Sequence, residues 1–139
     1  MSSQHLKRLA MPRSWPLPRK TTVWVTRPTP GAHSLEHCMP LTLVVRDMLG
    51  LAKSAREVRY ILHNELAKVD GRVVKDTRRG IGIMDVLTLG EDNYRCILDH
   101  NGRLRHRPLS AKDPPVTSTP RTLPHTTRCV PFLRIVSVT

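Results

Sequence analysis

Arg46, Lys53, Arg56, Arg59 and His63 fall in one short stretch of this chain, which holds only Asp47 and Glu57 as acids. On a helix turning about 100° per residue, Arg56, Arg59 and His63 share a stripe. Such stripes are most often solvated faces. A cluster of one sign costs stability through self-repulsion, so with few acids to neutralise it the cluster points to anion binding. No nucleophile stands beside a base in this stretch. Asp99 with His100 could form an acid–base pair, but both fall in a predicted hairpin turn, where these residue types are ordinary. His33, His37 and Cys38 have metal-ligand chemistry, yet no second ligand pair at zinc-finger spacing follows. Cys38, Cys96 and Cys129 are widely spaced and form no CxxC, so they read as reduced thiols of a cytosolic protein. The residues therefore predict no catalytic group, no metal and no cofactor.

The whole chain supports an anion partner. Lys plus Arg number 23 against 11 acids, a net charge of +12, with an isoelectric point near 10.8. A field of that sign attracts polyanions, chiefly nucleic acid or an acidic membrane surface. No apolar run is long enough to span a bilayer. The basic, acid-free opening "MSSQHLKRLAMPRSW" lacks the apolar core of a secretory signal and resembles a transit peptide only loosely. A length of 139 residues fits one domain, or a small domain with long extensions. Aromatic residues make up only 4%, so its core must be aliphatic.

Proline locates the elements that must position these charges. Pro12, Pro16, Pro18, Pro28, Pro30 and Pro40 stud the first part of the chain, and Pro108, Pro114, Pro115, Pro120, Pro124 and Pro131 the last. Proline interrupts helices and inner strands, so regular structure is expected between Leu41 and Arg107. In "LTLVVRDMLG", Leu41, Val44, Val45, Met48 and Leu49 recur at helical spacing, and Gly50 supplies a left-handed end. Ser54 and Glu57 form a capping box that starts a second helix at Ala55, with Val58, Ile61, Leu62 and Leu66 as its apolar face. Asp70-Gly71 and Asn101-Gly102 are hairpin turns, Ile83 to Leu89 is a strand, and Tyr94, Cys96 and Leu98 alternate with Arg95, Ile97 and Asp99. The expected class is α+β: a two-helix RNA-binding module followed by a short antiparallel sheet, with an extended basic N-terminal arm and an irregular C-terminal tail.

These residues also resemble a known family. Gly50, the Ser-Ala-Arg-Glu helix start and "VDGRVV" look like the small RNA-binding module called the S-four domain. That module places two antiparallel helices and a short sheet around one core, with the helix pair facing RNA. "HLKRLAMPRSWPL", "RPTPGAHSLEHCMPL", "GIMDVLTL" and "NYRCILDHNGRL" resemble the archaeal and eukaryotic small-subunit ribosomal protein S-four-e family, from about His5 to about Leu109. The resemblance implies a non-enzymatic constituent of the small ribosomal subunit in the cytoplasm. Its partners would be small-subunit ribosomal RNA and neighbouring ribosomal proteins, with no membrane and no small-molecule substrate. A free-standing RNA-binding protein, or an accessory of an RNA-modifying enzyme using the same module, is the alternative. The chain departs from the family at Arg79 and Gly80, where an aromatic and a proline are usual, and at Cys38 and Met39. It departs most after Ala111, where further β-rich domains are replaced by what reads as a truncated or frame-shifted tail. The expected organisation is an arm over 1–40, the S-four-like domain over 41–90, a hairpin opening a further domain over 91–110, and a tail over 111–139.

Folded RNA is a polyanion, so phosphate neutralisation should dominate the affinity. The candidate contacts are Arg46, Lys53, Arg56 and Arg59 in the module, Arg78 and Arg79 in a possible anion-binding loop with Gly80 and Gly82, and Lys7, Arg8, Arg13 and Trp15 in the arm. Trp15 either stacks on a base or packs within the chain. The arm as a whole is expected to order only against RNA.

Overall fold

The computed structural model describes residues 5–109; the expected tail over 111–139, with Cys129, lies outside the described residues. The strands are β1 (His5–Lys7), β2 (Trp24–Thr26), β3 (Cys38–Pro40), β4 (Ala67–Val69), β5 (Arg72–Val73), β6 (Gly80–Gly82), β7 (Val86–Leu89), β8 (Asp92–Leu98) and β9 (Leu104–Pro108). Two short helical segments lie between β3 and β4: α1 (Leu41–Leu43), continued as a π-helix over Val44–Met48, and α2 (Ala55–His63). The class is mixed α+β. All paired strands in its three sheets are antiparallel, in the orders β1-β2, β3-β6 and β5-β4-β7-β8-β9.

The sheet is punctuated where the chain carries turn residues. Asp70 and Gly71 both adopt positive φ, 50° and 77°, which matches the twist of the two-residue β4–β5 hairpin. At the β8–β9 end, the Gly102 N–H donates to the Asp99 carbonyl and the Asp99 N–H to the Arg103 carbonyl. This is a longer loop than a bare Asn-Gly turn, with Gly102 as its left-handed residue. The strand expected over Ile83 to Leu89 is broken: Met84 has φ 70° and its N–H donates to the Cys96 carbonyl, so β6 and β7 join different sheets. The hairpin expected to open a further domain over 91–110 continues the same sheet, because β7 pairs with β8.

The first helix is not the amphipathic cylinder that its spacing predicts. Leu41, Thr42, Leu43, Val44 and Val45 are all buried, whereas Met48 and Leu49 are only half-buried. The stretch from Leu41 to Val45 is buried all round and so needs no polar face, whereas Arg46 and Asp47 reach the surface. Its widened turn is marked by the Leu49 N–H donating to the Val44 carbonyl at 2.9 Å.

The proline-rich arm differs most from expectation. Instead of extending freely, it folds back as β1 pairs with β2 and delivers Met11, Trp15 and Val25 to the core. The Arg8 side chain is buried, donating from Nε to the Pro18 carbonyl at 2.6 Å and from Nη1 to Thr22 Oγ1 at 2.9 Å. The Leu104 N–H donates to the Ser14 carbonyl at 2.8 Å, tying arm to sheet. Proline prevents regular elements here, but it does not prevent packing through scattered apolar side chains and side-chain hydrogen bonds.

Candidate nucleic-acid interface

Helix α2 carries exposed cations of the expected surface. Ser54 caps it, accepting from the Glu57 N–H at 3.3 Å, and Glu57 accepts from the Lys53 N–H at 2.7 Å and the Ser54 hydroxyl at 3.1 Å. The Lys53 N–H bond, then the Ser54 hydroxyl, hold the Glu57 carboxyl below its ordinary range. Glu57 is thus committed to the helix start. Val58 and Leu62 are buried and fix the helix to the core, while Ile61 is half-buried. Leu66 is exposed, since the helix stops at His63 and Glu65 turns the chain with φ 58°.

The opposite side carries Arg56, Arg59 and His63, all exposed. Among the described residues neither arginine is in an ion pair. Tyr60 directly follows Arg59, lies one helical turn beyond Arg56, and is 70% exposed. A planar phenol at the edge of a stripe holding two guanidinium groups combines phosphate-binding forks with a stacking surface. Tyr60 is not among the residues expected from the sequence, although its place beside the charged stripe was the available signal.

The other candidates separate into three groups. Lys53 is exposed beside the α2 start, and Lys7 and Arg13 are exposed on the folded arm. Arg46 is already occupied: its Nε and Nη2 reach both Asp47 oxygens at 2.8 and 2.9 Å, and this hydrogen-bonded pairing raises its pKa. Arg8 and Trp15 are structural. Trp15 is 3% exposed and its indole N–H donates to the Cys38 carbonyl, so packing within the chain replaces base stacking.

The expected Gly-x-Gly anion loop is a strand. Gly80 and Gly82 belong to β6 and pair with Pro40 and Cys38 of β3. A Cβ on Gly82 would collide with the His33 ring, and one on Gly80 would crowd Cys38 Sγ. These glycines allow close approach of protein groups rather than of phosphate. Arg79 remains exposed, while Arg78 is half-buried with its Nε donating to the Arg27 carbonyl at 3.2 Å.

His33 Nε2 stands 3.0 Å from Asp85 Oδ1, and Cys38 is nearby, but burial raises the Cys38 pKa and keeps the thiol protonated. Burial also pushes Cys96 up to about 12. Asp99 is held below its ordinary range, first by the His100 ring hydrogen bond. Among the described residues no three His, Cys, Asp or Glu side chains gather as a metal site, and no helix is long and apolar enough to cross a membrane.

Comparison with known proteins gives this surface a context. Residues 2–36 match the family model of the RS4NT (NUC023) domain. The chain is 49% identical over 104 residues to small ribosomal subunit protein eS4 of Nanoarchaeum equitans, covering 73% of this chain and 44% of that protein. It is 43% identical over 112 residues to eS4 of Methanocella arvoryzae, covering 79% and 48%. The crystal structure of 30S ribosomal protein S4e from Thermoplasma acidophilum superposes with a TM-score of 0.47 and 32% identity, over 54% of this chain and 39% of that one. The chain spans about half the length of the relatives it matches. Over the region from the arm to the last described strand, the chain belongs to the eS4 family.

Proposed function

We propose that this chain is a structural, non-catalytic constituent of the small ribosomal subunit that binds and stabilises small-subunit ribosomal RNA. On this reading it resides in the ribosome, in the cytoplasm, beside other small-subunit proteins. The observation that carries the reading is the exposed ridge of Arg56, Arg59, Tyr60 and His63 on a helix anchored by Val58 and Leu62. Among the described residues neither Arg56 nor Arg59 is in an ion pair, and Glu57 is committed to Lys53 and Ser54. Lys53, Arg79, Lys7 and Arg13 add exposed positive charge.

A-form RNA hides its major groove from side chains, so a rigid helix of this kind reads shape and phosphate positions rather than base sequence. Arginine forks hold two phosphate oxygens each, and the short, preorganised helix loses little freedom on docking. The helix segments act here as the platform of an S-four-type module, with α2 facing the RNA and the first segment buried behind it. The relatives' names, each a small ribosomal subunit protein, support the same assignment. Sedimentation of the full chain with small ribosomal subunits tests it. Wild-type chain should travel with the subunits at moderate salt, and Arg56→Glu with Arg59→Glu should remain in the supernatant. Free migration of the wild-type chain would refute the assignment.

A further inference from the structure

We propose that the outward face of the five-stranded sheet is a second RNA phosphate-binding surface, centred on Arg95 and Arg107. This rests on the RNA-binding reading above and extends it to a surface far in sequence from α2.

The ladder register defines the face. Side chains alternate across a strand, and Tyr94, Cys96 and Leu104 belong to the core side. Arg95, opposite Arg107 in the β8–β9 ladder, must therefore point the other way. Lys68 faces outward with Thr88 in the β4–β7 ladder, and Thr88 with Asn93 in the β7–β8 ladder. Lys68, Asn93 and Arg107 are exposed, and Arg95 is half-buried. Val86, beside Arg95 in register, is buried yet lies outside the core cluster. An arginine stem lying along it would account for that burial.

The charge of this face is unbalanced. Like charges directly opposite on neighbouring strands destabilise a sheet. Among the described residues neither Arg95 nor Arg107 makes an ion pair. Of the carboxylates around the ladder, Asp99 is taken by His100 at 2.9 Å and stands 3.2 Å from Arg105, and Asp70 accepts from the Val86 N–H at 2.9 Å. Thr88 Oγ1 donates to Asn93 Oδ1 at 2.7 Å, which leaves the Asn93 amide N–H groups as further donors. Two guanidinium forks on strands about 4.8 Å apart suit one bridging phosphate, which would convert their repulsion into two charge-assisted contacts. An RNA backbone offers that group repeatedly, and Lys68 extends the track across the sheet.

The test is filter binding of the full chain to an A-form RNA duplex over a potassium chloride series, with thermal melting of each protein. Arg95→Gln with Arg107→Gln should reduce the slope of log affinity against log salt by about 2, or about 1 per arginine. Arg107→Glu should place a carboxylate opposite Arg95, raise the melting temperature of the free chain and weaken RNA binding. Arg56→Glu with Arg59→Glu is measured in parallel. If the sheet variants keep the wild-type slope while the helix variant loses slope, the sheet proposal fails and the helix reading stands. If only the sheet variants lose slope, the helix reading fails and this one stands. An unchanged slope in the sheet variants, combined with weaker incorporation into small subunits, would assign the face to a protein neighbour and overturn the proposal.

Discussion

The Trp15 indole N–H donates to the Cys38 carbonyl oxygen at 2.7 Å, across a sequence separation of 23 residues. That single bond joins the arm to the strand leading into the first helix. Trp15 is therefore a core residue. Trp15→Ala should destabilise the chain by about 3–5 kcal/mol. Trp15→Phe, which leaves the Cys38 carbonyl unpaired, should cost about 1–3 kcal/mol. Urea denaturation measures both, and the Phe variant should keep the wild-type salt slope for RNA.

Gly82 packs so closely on His33 that an added Cβ would collide with the ring. Gly82→Ala forces the His33 ring away from Asp85, and Asp85 also accepts from the Gly82 N–H at 2.8 Å. The expected loss is about 1–3 kcal/mol, as for overpacking of a close-packed site. A thermal melt of the Ala variant matching wild type would contradict this packing.

His106 should make the fold acid-sensitive. It sits opposite Cys96 in the ladder, and neither ring nitrogen has a hydrogen-bond partner among the described residues. Burial lowers its pKa to about 4, from an ordinary 6.5. The folded state thus favours the neutral ring. Its contribution to stability is complete above pH 6.5 and is lost as the pH falls toward 4, by an amount on the order of a few kcal/mol. His106→Leu should flatten this part of the pH–stability profile, measured by urea denaturation between pH 7 and pH 4.

The elements built from neighbouring residues were legible in the sequence. Ser54 with Glu57 and Asp70 with Gly71 act within a few positions of each other, and the structure has the cap and the hairpin where they were expected. Features that depend on distant partners were not. The burial of Arg8 and Trp15 is decided by residues 10 to 23 positions away. The Arg95–Arg107 opposition exists only once the β8–β9 register is known. The Arg46–Asp47 pair was hidden for a different reason: adjacent helical residues seldom face one another, yet the long Arg46 side chain reaches Asp47. Of the candidate ridge, Arg56 and Arg59 were readable from spacing, whereas Tyr60 is uncharged and its 70% exposure is visible only in the fold.

The ridge makes a quantitative prediction about binding. Arg56→Glu with Arg59→Glu should lower RNA affinity and reduce the salt slope by about 2, one unit per lost phosphate contact. Both positions are exposed and unpaired, so the circular dichroism of the helix and the melting temperature should change little. A large loss of helicity would mean that the arginines serve the fold instead.

The central claim is that RNA lies against α2. A structure of a small ribosomal subunit carrying this chain tests it most directly. The account predicts guanidinium nitrogens of Arg56 and Arg59 about 2.7–2.9 Å from phosphate oxygens, with the Tyr60 ring beside a ribose or base. A ridge facing open solvent, or covered by another polypeptide, would contradict it.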